Sequence, residues 1–197
     1  MIIPSARHAL PRALALAAAI GGAFVSWHYH RLGLTLSHYD ARGHLVVARR
    51  IFDSITPGWQ QIGAVWLPLP HLLNAIPVQI DLLYRTGASA VAISIASFAI
   101  ACGSIAWILI ALTESWAAAI VGVAVFALNP NVLYLQATPM TEPLLLAATT
   151  LAIAMLMNVC RPGPVDPALG ASQRIRPTAI VFALACLTRY EAWPVTA

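Results

Sequence analysis

Six side chains in this sequence have types and spacings that could do chemistry. Asp40, Arg42 and His44 fall together in S-H-Y-D-A-R-G-H, Glu142 follows A-T-P-M-T, and Arg189 and Glu191 flank Tyr190 near the end. A carboxylate fixed at a helix start is well placed to take the proton of an incoming hydroxyl as a general base. Arginine offers a fixed fork of donors that suits a phosphate. His44 and His71 could bind a ligand or a metal. No close His/Asp/Glu spacing forms a metal motif, so the metal is unknown, with a divalent ion possible but not required. Each acid also has a structural reading. Asp40 suits an N-cap, and Glu142 suits the positive end of a helix dipole.

The elements that must position these groups are apolar. Of 197 residues 60% are hydrophobic and only 9% charged, with a mean hydropathy of +0.79. A soluble domain carries roughly 25% charged residues, so the composition is that of a multi-pass membrane protein. All eleven basic residues are arginine and they are scattered, with a formal charge of +4. No basic run marks a nucleic-acid partner. Cys102, Cys160 and Cys186 are far apart and read as helix-packing residues, not as a disulfide or metal framework.

Hydropathy and turn signals divide the chain into about five spans, 11–31, 87–112, 116–128, 143–159 and 177–190. Residues 64–84 are apolar but broken by Pro68, Pro70 and Pro77, which fits an interfacial or re-entrant piece packed on protein. The 131–141 segment reads as a loop, and the Pro/Gly-rich 161–176 segment as a flexible connection. With the N-terminus inside, Arg7, Arg12, Arg161, Arg174 and Arg176 are cytoplasmic; Arg42, Arg49, Arg50 and Arg85 count against that orientation. In either orientation Asp40, Glu142, Arg189 and Glu191 share one side.

Between the first two spans, 40–53 has helical periodicity. Ala41, Leu45, Val47, Ala48, Ile51 and Phe52 fall on one arc, and Arg42, Arg49 and Asp53 on another. The expected element is an amphipathic helix lying in the interface, with Arg49 and Asp53 paired four residues apart. The fold class that follows is all-α, a polytopic transmembrane helix bundle with an amphipathic juxtamembrane helix.

Four blocks, Y-D-A-R-G-H-L-V-V-A-R-R-I-F-D-S, W-L-P-L-P-H-L-L, A-T-P-M-T-E-P-L-L-L and L-T-R-Y-E-A-W-P, occur in this order. Together they resemble the C-type glycosyltransferase superfamily, nearest to its bacterial family 39 type. That type is akin to protein O-mannosyltransferases and lipid A aminoarabinose transferases. The resemblance implies an inverting enzyme that takes a sugar from a polyprenyl-phosphate carrier and delivers it to an acceptor hydroxyl on the outer face of a bacterial plasma membrane. It implies Asp40 as catalytic base, in a first outer loop ahead of a juxtamembrane helix. Arg42, His44, Glu142, Arg189 and Glu191 become candidates for donor or acceptor binding. Many relatives place glutamate after the aspartate, where this chain has Ala41; Glu142 is the alternative second carboxylate. The family has further spans, so the sequence is expected to be the N-terminal part of such a domain. The competing expectations are a piece of a transporter, or a membrane protein that binds lipid carriers without catalysis. A transporter would place ionisable groups at mid-bilayer and show internal repeats.

Overall fold

The computed structural model describes residues 6–63, 65–161 and 171–196, and among them every regular element is helical. Most of the expected 161–176 connection lies outside these residues, as do the side chains of Arg7 and Arg174. In chain order the helices are α1 (Ala6–Arg31), α2 (Tyr39–Arg50), α3 (Pro68–Ala75), α4 (Asp81–Thr86) and α5 (Ala88–Thr113). Then come α6 (Trp116–Ala127), α7 (Pro130–Gln136), α8 (Glu142–Cys160), α9 (Ala171–Cys186) and α10 (Trp193–Thr196).

Among the described residues three helices are long and apolar enough to cross a membrane: α1 from Ala9, α5 and α8. The segment expected as a third span is half of a bent pair, α6 and α7, set at 68° to each other. Its 12 residues reach only about 18 Å at 1.5 Å per residue, well short of a ~30 Å hydrocarbon core. Asn129-Pro130 makes the break. Pro130 cannot continue the ladder of α6, and the Asn129 side chain instead accepts from the Asn131 N–H at 2.9 Å to start α7. Residues 131–141, expected as a loop, therefore begin with a short helix. The last expected span also differs. Helix α9 begins at Ala171, inside the segment expected as a flexible connection, and stops at Cys186, not 190, after 16 residues.

Helix α5 is the centre, with α1, α6 and α8 packed on it and α9 packed on α8. A Cβ on Gly103 would lie 3.1 Å from Ala15 Cβ, so α1 and α5 approach closely through small residues. Phe98, Cys102, Ala106 and Ile110 of α5 form a buried cluster with Ala119 and Val123 of α6. One polar tie crosses this interior. Gln136 is fully buried, donates to the Gly22 carbonyl at 3.3 Å, and accepts from the Ser26 hydroxyl at 3.4 Å. A buried amide left without such partners costs about 1–3 kcal/mol, so these bonds fix α7 against α1.

The outer layer is α2, α3 and α4, laid across one end of the long helices. Leu45 and Ala48 of α2 pack with Val78 and Ala90. Gly87 turns α4 into α5 at φ 71°, a left-handed conformation that disfavours a side chain, and Pro139 lies 2.8 Å from where its Cβ would be. Arg49 braces the layer by donating to Asp53 at 2.8 Å and to Asp81 at 2.7 Å, with Tyr84 beneath its guanidinium.

Candidate active site

Helix α2 starts differently from the expected cap. His38, not Asp40, is the N-cap: its Nδ1 accepts from the Asp40 N–H at 3.1 Å. Asp40 sits one residue inside the helix, half-buried, with its carboxylate left free of the capping role. The buried stripe is Ala41, His44, Leu45 and Ala48, continued by Ile51. Phe52, expected on the same arc, is exposed because the chain leaves the helix at Arg50. Ala41 has no exposed surface, so a glutamate there would be forced into the packed face. Arg42 turns back, donating from Nε to the Leu36 carbonyl at 2.7 Å, and braces the turn before the helix.

Helix α3 is set by W-L-P-L-P. Leu67 is extended (φ −81°, ψ 156°), as a residue before proline prefers, and Pro68 opens the helix where no backbone donor is needed. The next N–H, of Leu69, donates across the fold to the Leu187 carbonyl at 3.0 Å. That bond stitches α3 to the chain just past α9, two residues before Arg189. On the next turn His71 is 1% exposed; its Nδ1 bonds the Leu67 carbonyl at 3.0 Å and its Nε2 meets His44 Nδ1 at 3.1 Å. Trp66 stacks on His71 at 25° and tilts against His44 with ring centres 4.3 Å apart. Gly43 makes this possible, since a Cβ there would lie 2.7 Å from the Trp66 ring.

The third wall is the start of α8. Ser94 of α5 donates to the Thr138 carbonyl at 3.1 Å and to Met140 at 3.4 Å, which fixes A-T-P-M-T and the Thr141–Glu142 pair that follows. Arg189, extended at φ −154° and ψ 152°, then reaches three partners. Its Nη1 donates to Thr141 Oγ1 at 3.0 Å and Glu142 Oε1 at 2.9 Å. Its Nη2 and Nε donate to Glu191 at 2.7 and 3.2 Å. Glu142 Oε2 is buried with no hydrogen-bond partner.

An open cavity of about 260 Å³ is bordered by His44, Trp66, His71, Thr141, Arg189 and Glu191. Asp40, Arg42 and Glu142 are not on its border. Asp40 is still close enough to act on Arg189. The Glu191 hydrogen bonds are the main cause of the raised guanidinium pKa, burial opposes them, and the charges of Glu142, Glu191 and Asp40 add to the rise. The same arginine lowers the Glu191 carboxyl below its ordinary value. His44 is pushed down to about 3, chiefly by burial and then by the charges of His71, Arg189 and His38. His71 is lowered as well, mainly by burial. Both rings are therefore neutral near pH 7.

Three carboxylates and one arginine make a cluster that is acidic overall. Arg189 holds an anion on its open edge already, the Glu191 carboxylate. Among the described residues no three His, Cys, Asp or Glu side chains converge to hold a metal ion. Thr141 and Trp66 join the site without being among the residues that the sequence singles out. The signal for Trp66 was Gly43, a helix-disfavouring residue in an amphipathic helix that marks a close approach. Comparison with protein-family models, curated proteins and solved structures finds no match to this chain.

Proposed function

We propose that this chain carries one wall of a sugar-transfer site fed by a polyprenyl-phosphate carrier. On this reading α1, α5, α8 and the neighbouring helices form a polytopic transmembrane bundle. Helices α2 to α4 lie along its extracytoplasmic interface in a bacterial plasma membrane. The observation that supports it best is the Arg189 clamp beside the cavity, with Asp40 in electrostatic range, at one end of three long apolar helices. That arrangement suits a substrate whose apolar chain stays among the helices while its phosphate reaches the rim, the same burial logic that holds lipid anchors.

The chemistry balances with these groups. Asp40 takes the proton of an acceptor hydroxyl as that oxygen attacks the anomeric carbon. The anomeric C–O bond to phosphate breaks with its electron pair on the leaving polyprenyl phosphate, and configuration inverts. General base catalysis of this kind contributes about 10²–10⁴ in rate. Glu191, exposed and on a short turn, swings aside to free the Nε and Nη2 donors of Arg189 for the phosphate. Thr141 and Glu142 keep Nη1 in place. Once freed, these donors stabilise the charge that develops on the leaving group. Arg42 is given no part in this scheme, because it does not border the cavity.

The test is transfer by the full-length protein in proteoliposomes supplied with a panel of radiolabelled polyprenyl-phosphate sugars. Label is expected to move to a hydroxyl-bearing acceptor with inversion. No transfer from any carrier would remove this reading, leaving the lipid-binding alternative.

A further inference from the structure

The cavity holds a feature that the transfer chemistry above does not use, a buried pair of histidines whose protons are fixed by one carbonyl. The Leu67 carbonyl can only accept, so His71 Nδ1 carries a hydrogen and donates to it. The neutral His71 ring then has a bare Nε2, which must accept from His44 Nδ1–H. The neutral His44 ring is left with a bare Nε2. Among the described residues that nitrogen has no hydrogen-bond partner, and it is not one of the buried atoms shut off from open space. His44 is 7% exposed and borders the cavity. The half-exposed Trp66 lies against the same ring and borders the same cavity.

We infer that His44 Nε2 is a fixed hydrogen-bond acceptor that, beside the Trp66 ring, selects a ligand ring bearing a hydroxyl. The ligand class is a pyranose or furanose with a free hydroxyl at the position facing His44. A deoxy or O-methyl sugar cannot donate there. The inference rests on the sugar-transfer reading and adds the element that recognises the sugar ring. Three observations carry it. A bare nitrogen demands a donor. The Trp66 ring offers the flat apolar face against which a ring's C–H bonds can pack. The cavity, at about 260 Å³, is near the lower end of the roughly 300–1,000 Å³ usual for small-ligand sites, a size suited to a monosaccharide.

Two replacements separate the functions of the two ring nitrogens. His44→Asn keeps an amide donor near the Nδ1 position, toward His71, and removes the Nε2 acceptor. His44→Gln places an amide oxygen near the Nε2 position and removes the donor to His71. In the full-length protein, the sugar it transfers is compared with its singly deoxygenated analogues. Wild type should lose about 5- to 150-fold in kcat/KM for one analogue, the penalty for leaving a buried polar group unpaired. That penalty should vanish in His44→Asn and persist in His44→Gln. If no analogue's penalty changes in His44→Asn, the acceptor role is wrong.

A second readout does not depend on transfer. NMR of isotope-labelled histidine nitrogens should show His44 protonated at Nδ1 and bare at Nε2, with the Nε2 signal moved by methyl pyranosides or furanosides and unmoved by the matching deoxy sugar. The opposite tautomer, or no response to any pyranoside or furanoside, overturns the inference. Failure of wild type to transfer any sugar, with the NMR response intact, would remove the transfer reading alone.

Discussion

Replacing Glu191 with glutamine changes the charge on the open edge of Arg189 while keeping the size and an acceptor oxygen. The carboxylate holds Nη2 at 2.7 Å from a side chain that is 57% exposed. A pair this open to solvent is worth about 0.2–1 kcal/mol. A phosphate that must displace it should therefore bind about 1.5- to 5-fold more tightly once the competing charge is gone. Removing one negative charge about 5 Å from the phosphate adds at most about 0.8 kcal/mol in a water-like dielectric, and salt screens most of that. The assay is calorimetric titration of a short-chain polyprenyl phosphate into the full-length protein in nanodiscs, at low and at physiological salt. Glu191→Gln should bind severalfold tighter, with the gain shrinking as salt rises. Weaker or unchanged binding at both salts would refute the reasoning, since Glu191 would then be part of the binding site and not its occupant.

Two further perturbations have outcomes set by the same geometry. Gly43→Ala should leave the unfolding temperature near wild type, because the helix-propensity gain of about 1 kcal/mol offsets the clash. The Trp66 ring must nevertheless move, since the added Cβ would lie 2.7 Å from it, so its fluorescence should change and sugar transfer should fall; an unchanged emission spectrum would contradict the packing. For acid stability the sign follows from His44 and His71, whose folded pKa values lie below their ordinary 6.5. Their contribution is complete above pH 6.5 and is lost as pH falls toward the folded values, near 3 for His44. Each costs up to about 1.4 kcal/mol per pH unit. Thermal unfolding followed between pH 6.5 and 5, above the carboxylate range, should show this loss and show less of it in His44→Asn. A flat profile would mean that the pair is not buried as described.

The sequence made some of these features readable and hid others for physical reasons. Helices α5 and α8 begin and end within one residue of the expected segments, because long uncharged runs bounded by Gly87, Glu114 and Pro143 leave little choice. Glu142, Arg189 and Glu191, expected on one side, meet in the structure, although the 116–128 segment is too short to cross alone. What could not be read were contacts made across the fold. Leu69 N–H to the Leu187 carbonyl is invisible in either local sequence. It is this bond that stitches α3, with His71 and Trp66, to the chain just before Arg189. The N-cap reading of Asp40 fails through local competition, because a histidine two residues earlier takes the cap that aspartate usually fills. Nor could the sequence show that Arg42, a candidate for donor binding, sets its Nε on the Leu36 carbonyl.

The central claim stands or falls on Asp40. The full-length protein and its Asp40→Asn variant are reconstituted with the polyprenyl-phosphate sugar that wild type uses, and transfer and donor binding are measured side by side. Because the Asp40 side chain does not cap α2, the fold and the affinity for the donor should be largely unchanged, while transfer falls by about 10²–10⁴. An Asp40→Asn protein that binds the donor and still transfers sugar at the wild-type rate would contradict the account.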